Sequence, residues 1–466
     1  MNKRALDDYK HSIRVLGGLI EVLMLAIVYY LSWKYFYRAR FFPTYYGRGK
    51  YILIGVYAAL TIIIFKLSDG FKYGQLKLTD VAISQCISTF IVNFITYFQL
   101  CLIANRMINF WPIVLLVIVD MGLSIACCWV FTAIYHKLFA PHDMLMIYGT
   151  ENALDLKFKM DARQDRYRIT EIISAQNTME ELTAAINRHD AVIVNDIDSS
   201  RRNDILKYCY DHEVRTYLVP KISDIIMNGA TDITLFDTPL KLVKGKGISM
   251  PNRFVKRLMD ILICLLAMIP GLPVMAIIAL AIKHEDHGPV FYKQKRVTRG
   301  GKIFEILKFR SMVVDAEKGG YDLSMRANAK DPRITKVGNI IRKTRLDEFP
   351  QILNILKGDM SIVGPRPERI ENVEAYAKEI PEWHLREKVK GGLTGYAQIY
   401  GRYNTSPMDK TKLDIMYIEN YSLFLDIKLI IMTIRIMFTP ESTEGFDVVE
   451  NMAAKREQLI KKIEHQ

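Results

Sequence analysis

Ile269-Pro-Gly-Leu-Pro273 interrupts an apolar stretch, Leu258–Ile282, whose only charged residue is Asp260. The stretch is long enough to cross a bilayer as a helix. Proline lacks a backbone donor and clashes with the preceding helical turn, so Pro270 and Pro273 predict a kink near the middle. The segment is therefore either a kinked span or a re-entrant hairpin that leaves the membrane by the face it entered.

Basic residues on both sides of this stretch favour the re-entrant form. Lys256 and Arg257 precede it. A second set follows it, namely Lys283, Lys293, Lys295, Arg296, Arg299 and Lys302. Because basic flanks mark the cytoplasmic side of a membrane segment, two such flanks are expected when both ends lie on one side. We expect a re-entrant helix over residues 254–283, with its neighbouring segments in one compartment.

Further apolar runs predict a bundle of four transmembrane spans within residues 1–140. These runs are Leu16–Trp33, Tyr51–Phe65, Val81–Ala104 and Ile108–Tyr135. Glu21 and Asp120 lie inside spans, where an acid is a functional candidate, but for Asp120 we favour a structural role in the bundle interior. Bases at the N-terminus and in the loop between the first two runs nearly balance, so charge does not fix the orientation.

The overall charge narrows the class of partner. The 466 residues carry 63 bases and 50 acids, a formal charge of +13, which suits nucleic acid, anionic lipid or phosphate-bearing substrates. The long apolar runs favour a membrane, and without a zinc-finger, RRM or KH signature we expect no nucleic acid. The six cysteines lack CxxC spacing and are expected to be reduced thiols.

Short β-rich runs alternate with helical stretches between residues 141 and 245. The strands predicted there are Met144–Tyr148, Ala191–Asn195 and Thr216–Pro220, and the helices are Thr178–Arg188 and Ser199–His212. This alternation predicts a Rossmann-like α/β domain with a parallel sheet. A dinucleotide site needs GxGxxG after the first strand, whereas Gly149 is followed by Thr-Glu-Asn-Ala-Leu-Asp. We interpret the domain as a regulatory or assembly module without a dinucleotide.

Five motifs follow the apolar stretch: Gly288–Arg296, Gly300–Met312, Arg342–Pro350, Leu356–Pro367 and Gly391–Arg402. In this order they resemble the bacterial sugar transferase family, the monotopic phosphoglycosyl transferases, over residues 253–438. The resemblance implies a mixed α/β catalytic domain in residues 246–440, anchored by the re-entrant hairpin and followed by a tail, 441–466. Many relatives carry serine-proline at the kink, where this chain has Leu272-Pro273.

Asp347 and Glu348 form the acidic pair of the third motif. Adjacent carboxylates can bind Mg²⁺ together with substrate phosphates, and a carboxylate can attack phosphorus. A solvated surface pair is the alternative for any such dipeptide. The resemblance implies that Asp347 is the nucleophile and Glu348 the principal ligand of Mg²⁺, with Asp347 beside it.

The remaining candidate residues are bases and polar groups. Arg366 stands between two prolines, which stiffen the backbone and can aim the guanidinium at a phosphate. The resemblance implies that Arg366 and Arg342 bind the diphosphate of the substrate. Lys308 and Arg310, predicted on one face of a strand, are weaker phosphate contacts. The resemblance also puts two residues near the nucleotide, Gln398 and Arg402.

Two further segments receive structural interpretations. His284–His287 contains possible metal ligands, but we expect a solvated loop after the hairpin. Asp426–Phe438 is apolar with sparse bases, and it fits either an amphipathic helix at the membrane interface or a core helix.

The predicted activity is transfer of a hexose-1-phosphate from a UDP-sugar to undecaprenyl phosphate, with release of UMP and a covalent intermediate on Asp347. It would initiate exopolysaccharide, capsule or O-antigen assembly at the cytoplasmic face of the bacterial inner membrane. Expected partners are the membrane, a second copy of the chain and other polysaccharide-assembly proteins. The alternatives are a magnesium-dependent phosphodiesterase or pyrophosphatase, and a catalytically silent scaffold.

Overall fold

The computed structural model describes residues 9–38, 48–245, 247–314, 316, 333–401, 405–437 and 460. The chain forms two compact units with a boundary between Pro220 and Lys221. The helices are α1 (Tyr9–Ser32), α2 (Gly49–Leu67), α3 (Leu78–Ala104), α4 (Trp111–Leu138), α5 (Asp155–Asp161), α6 (Met179–Asn187), α7 (Ser199–Asp211), α8 (Ile222–Asn228), α9 (Met250–Asp286), α10 (Lys336–Lys343), α11 (Gln351–Lys357), α12 (Ile370–Glu379), α13 (Tyr396–Tyr400), α14 (Pro407–Glu419) and α15 (Leu423–Met437). The strands are β1 (His142–Tyr148), β2 (Tyr167–Ser174), β3 (Ala191–Asn195), β4 (Arg215–Leu218), β5 (Thr231–Leu235), β6 (Thr238–Leu242), β7 (Phe291–Val297), β8 (Ile303–Phe309), β9 (Ser361–Val363) and β10 (Gly392–Thr394).

Long apolar helices dominate the start of the first unit. Within the described residues, α1 with the π-helical turn Trp33–Tyr37, α2, α3, α4 and α9 are each long and apolar enough to cross a membrane. The first four cover the apolar runs of the sequence. Two buried acids link the helices, since Asp120 accepts hydrogen bonds from Tyr57 (2.7 Å) and Asn93 (2.8 Å), and Glu21 accepts one from Gln85 (3.0 Å).

A parallel four-stranded sheet completes the first unit, with strand order β2-β1-β3-β4. The central strands β1 and β3 are mostly buried apolar residues, as a strand covered on both faces requires. Thr178 caps α6 in a capping box with Glu181, and Asp198 caps α7. Strand β2, at the edge of the sheet, is not predicted from the sequence. Its charged residues interrupt the apolar pattern by which a strand is recognised. The Rossmann-like winding stays a prediction.

The second unit is a mixed α/β domain. An antiparallel pair, β7–β8, and a parallel pair, β9–β10, pack with helices around a core that includes Phe304, Ile355 and Tyr417. Leu429 and Met432 of α15 belong to this core, so α15 packs as a core helix along that face. Helix α8 and the β5–β6 hairpin also belong to this unit, whereas the sequence placed them in the middle domain.

Helix α9 remains α-helical through Pro270 and Pro273. Each proline removes one backbone donor, and the neighbouring residues continue the helical hydrogen bonding. The helix therefore does not end at the prolines, while the kink there stays a prediction.

The N-terminal part of α9 is fixed to the second unit by polar contacts. Lys256 pairs with buried Asp426 at 2.5 Å. Arg257 donates to the carbonyls of Ile355 (2.5 Å) and Leu356 (2.6 Å) in the last turn of α11. Both bases of the flank that precedes the apolar stretch therefore bind the protein itself, and the re-entrant hairpin stays a prediction.

The C-terminal end of α9 is fixed to the same unit. Glu285 accepts hydrogen bonds from the backbone N–H groups of Lys336 (2.7 Å) and Val337 (3.2 Å) at the start of α10. Asp286 pairs with the side chain of Arg310. These residues form the last turn and cap of α9, so the expected loop at 284–287 is wrong, whereas His284, Glu285 and His287 are exposed to solvent as expected.

Candidate active site

The acidic pair lies in a tight turn between two short helices. Helix α10 ends at Lys343, and Arg345 then adopts a left-handed conformation (φ +54°) that reverses the chain. Leu346–Glu348 form one turn of 3₁₀-helix, and Pro350 caps α11 directly afterwards. A non-glycine residue with positive φ is strained, and such strain is often found at functional sites. The turn holds Asp347 and Glu348 on a short, constrained segment.

Glu348 is bound by two cations from two other elements. Its Oε1 accepts hydrogen bonds from Lys308 Nζ (2.9 Å), near the end of β8, and from an Arg366 guanidinium nitrogen (2.8 Å), in the loop after β9. Burial alone would raise the pKa of Glu348, but the charges of Arg366 and Lys308 outweigh burial and hold that pKa well below its usual range. Glu348 is therefore ionised and immobilised at neutral pH.

Asp347 has a different electrostatic environment. Burial is the largest effect and raises its pKa. The charge of Lys308 opposes this, that of Glu348 adds to it, and Arg342 and Arg366 oppose it more weakly. Two neighbouring carboxylates thus have pKa values moved in opposite directions, a pattern typical of sites that assign different roles to two acids.

Backbone contacts fix the loop that carries Arg366. The Pro365 carbonyl accepts a hydrogen bond from the N–H of Gly392 (2.9 Å), and a Cβ at Gly392 would overlap the backbone of Gly364. The Arg366 carbonyl accepts from a guanidinium nitrogen of Arg386 (3.2 Å). These contacts hold the loop through its main-chain atoms. The side chain of Arg366 is therefore left to bind Glu348.

Arg386 is a supporting residue that the sequence did not indicate. Its Nε donates to Asp414 Oδ2 at 2.7 Å, and both side chains are buried. The guanidinium also lies over the Trp383 ring, 4.1 Å from its centroid. Nothing in the polar segment Pro381–Lys388 distinguishes this arginine from its neighbours.

Helix α9 approaches the acidic turn at its proline segment. A Cβ added to Gly271 would overlap the ring of Phe349, the residue after Glu348. Further towards the N-terminus, Asp260 of α9 accepts hydrogen bonds from Ser361 Oγ (2.8 Å) and the Ile362 N–H (3.1 Å) in β9. The apolar helix thus contacts both segments that supply the Glu348–Arg366 pair.

The structure brings some of the predicted site residues together and separates others. Lys308, Glu348 and Arg366 are in contact, and Asp347 and Arg342 are neighbours. Arg310 lies outside this cluster, because its buried guanidinium pairs with Asp286. In α13, Gln398 donates to the Leu393 carbonyl (3.2 Å). Arg402 lies outside the described residues.

The acidic pair supplies carboxylates of the kind that bind Mg²⁺. Among the described residues, no group of three or more His, Cys, Asp or Glu side chains could hold a metal ion. Mg²⁺ is commonly bound by one or two carboxylates completed by substrate phosphates and water. Asp347 and Glu348 fit that pattern, provided that a phosphate-bearing substrate supplies the remaining oxygens.

Comparisons with known proteins match this region. The family model described as Bacterial sugar transferase matches residues 251–440, which contain the whole cluster. The chain is 33% identical over 325 residues to a UDP-N-acetylgalactosamine-undecaprenyl-phosphate N-acetylgalactosaminephosphotransferase of Aeromonas hydrophila, covering 68% of this chain and 71% of that protein. The chain belongs to the bacterial sugar transferase family.

Two other family members are similar over shorter segments. A UDP-glucose:undecaprenyl-phosphate glucose-1-phosphate transferase of Escherichia coli K12 is 42% identical over 214 residues, 45% of this chain and 44% of that protein. One of the same name from Klebsiella pneumoniae is 35% identical over 274 residues, 57% of each. The match therefore spans about half the length of these two relatives.

Proposed function

We propose that the chain transfers a hexose-1-phosphate from a UDP-sugar to undecaprenyl phosphate and releases UMP. One observation carries the proposal. Glu348, which is neutralised by Lys308 and Arg366, lies next to an acid of raised pKa, and the residue after it, Phe349, packs against the apolar helix α9. A water-soluble phosphoester and a lipid phosphate need to meet where cations lie beside an apolar surface. The relatives are named for this class of reaction.

The proposed chemistry proceeds in two displacements. Asp347 attacks the phosphorus that bears the sugar, an aspartyl–phosphorus bond forms, and the bond to UMP breaks. The phosphate of the lipid then attacks the same phosphorus, a diphosphate forms, and the Asp347 carboxylate is released. Arg366 and Arg342 stabilise charge on the phosphoryl oxygens. Mg²⁺ held by Glu348 and Asp347 would supply further positive charge to the substrate phosphates.

We also propose that α9 re-enters the cytoplasmic face of the bacterial inner membrane. Both ends of the helix are bound by one α/β unit, so a full crossing would carry part of that unit through the bilayer. The opposite side of α9 exposes large apolar residues, among them Leu262, Leu266, Ile269, Ile277 and Leu280. Nucleotide sugars are made in the cytoplasm, which assigns the catalytic unit to that side.

The transferred group and the partners follow from the same proposal. A hexose-1-phosphate is favoured because two relatives are named for glucose-1-phosphate transfer. The reaction would start exopolysaccharide, capsule or O-antigen assembly. A homodimer and contacts with other polysaccharide-assembly proteins belong to the proposal.

The test is UMP release by the detergent-purified protein with Mg²⁺, a panel of UDP-sugars, and undecaprenyl phosphate either present or absent. We expect lipid-dependent release with one donor, and Asp347→Asn is expected to reduce turnover by about a thousand-fold or more. Hydrolysis to free sugar phosphate without lipid would instead indicate a phosphodiesterase. Full turnover by Asp347→Asn would exclude the covalent step.

A further inference from the structure

A basic depression lies on the catalytic unit where α9 begins. It has a volume of about 420 Å³ and is lined by Arg253, Arg299, Gly300, His384, Glu387 and Lys388. Arg253 belongs to the first turn of α9. The others come from the turn after β7 and from the segment that also carries Arg386. Three separate parts of the chain therefore converge on one surface feature.

The depression is positively charged overall. Arg253, Arg299 and Lys388 contribute cations, and Glu387 is the single carboxylate lining it. Burial raises the pKa of Glu387, against the opposing charges of Arg386 and His384. Burial, followed by the charges of Arg257 and Arg299 against that of Asp260, lowers the pKa of nearby Lys390. An anion placed here would relieve the repulsion among these bases.

Exposed apolar side chains lie close to Arg253 in the first turns of α9. Phe254 follows Arg253 directly and is 72% exposed, and Met250, one turn earlier, is 75% exposed. From these residues the exposed apolar side of α9 continues to Leu280. Charged residues at the edge of a membrane-facing apolar surface lie at the level of lipid headgroups.

The depression is separate from the acidic turn. Gly271, which contacts Phe349, lies eighteen residues after Arg253 in α9. At 1.5 Å per residue, this corresponds to about 27 Å along the helix. The described residues that line the depression include neither Asp347 nor Glu348, so the depression is a feature distinct from the acidic turn.

We propose that this depression binds the phosphodiester headgroup of an anionic phospholipid. The inference rests on the proposed membrane placement of α9. A soluble phosphate would satisfy the bases alone, whereas a phospholipid also uses the exposed Phe254 and Met250. The bound lipid anchors the beginning of α9 at the membrane surface and sets the depth at which the acidic turn meets its lipid substrate.

The test uses the full-length protein in phosphatidylcholine nanodiscs containing a trace of phosphatidylglycerol with a photoreactive headgroup. Labelled peptides are mapped by mass spectrometry. We expect labelling at residues 250–255, 299–302 and 384–388, and we expect Arg299→Glu and Lys388→Glu each to reduce it at least about five-fold. The matched control Lys293→Glu makes the same charge change at an exposed site on β7 and should retain labelling.

Three outcomes would overturn the proposal: labelling unchanged by both reversals, equal labelling by photoreactive phosphatidylcholine, or complete competition by soluble glycerol phosphate. UMP release is measured on the same samples. Because labelling does not require turnover, an inactive protein that is labelled as expected would contradict the proposed function and leave this site supported.

Discussion

Gly271 of α9 lies directly against the aromatic ring of Phe349, the residue that follows Glu348. A larger side chain there would overlap the ring, so the ring or the helix would have to shift. The contact joins an apolar helix to the segment that carries both candidate catalytic acids. A change in the position of α9 is therefore expected to act, through this contact among others, on the segment that carries Asp347.

Gly271→Ala is expected to displace Phe349 and lower the rate of UMP release by about 10- to 100-fold, since small misplacements of reacting groups have effects of this size. Gly122→Ala is the matched control, because a Cβ at Gly122 in α4 meets nothing within 4 Å. Steady-state kinetics of both variants, compared with their melting temperatures, provide the measurement. A Gly271→Ala enzyme with the wild-type rate would show that this contact does not position the acids.

A comparison of Lys308→Met with Arg310→Met should distinguish a side chain that acts in catalysis from one that only stabilises the fold. Lys308 binds Glu348, so its loss is expected to reduce turnover while costing about 1–3 kcal/mol of unfolding free energy. Arg310 pairs with Asp286, and its loss leaves a partly buried carboxylate unpaired, at a cost of about 3 kcal/mol.

Kinetics and urea denaturation of both variants test the pair. The prediction fails if Arg310→Met, corrected for its folded fraction, loses as much turnover as Lys308→Met.

The pH dependence of UMP release should report the ionisation of Asp347. The nucleophile must be deprotonated, and its pKa is raised by burial, so activity should fall on the acidic side at a higher pH than for an ordinary aspartate. Lys308→Met removes the charge that most lowers this pKa and should move the acidic limb to higher pH. Glu348→Gln removes a charge that raises it and should move the residual activity in the opposite direction. Single-turnover rates of both variants are measured across pH. Acidic limbs of Lys308→Met and Glu348→Gln that both coincide with the wild-type limb would contradict the assignment.

Lys256→Met should destabilise the catalytic unit by about 3–5 kcal/mol, because Asp426 would stay buried without its cation. The double variant Lys256→Met/Asp426→Leu should regain much of that loss. Lys283→Met, at the exposed other end of α9, is the control and is expected to change stability by less than about 0.5 kcal/mol. Thermal unfolding in detergent distinguishes the variants, and equal effects at Lys256 and Lys283 would rule out the buried pair.

Sequence patterns identified the residues that carry charge and chemistry better than they identified side-chain directions. Lys308, Glu348 and Arg366 do converge. Arg310 does not, because β8 ends at Phe309 and the alternation of faces holds only within a strand.

The supporting contacts were not predictable, because they join distant parts of the chain. Arg386 binds Asp414, and Asp260 binds β9, through packing that leaves no periodic signal. The boundary after residue 220 was missed for the same reason, since Gly229, just after α8, packs against Glu419 of α14.

The second unit contains its own apolar helix, its own core and every described residue of the acidic cluster. Among the described residues, the contacts given above for the acidic cluster and for both ends of α9 all lie within this unit. A unit built in this way is portable: evolution can join it to different membrane bundles and regulatory domains, or change those partners, while the reacting groups keep their arrangement.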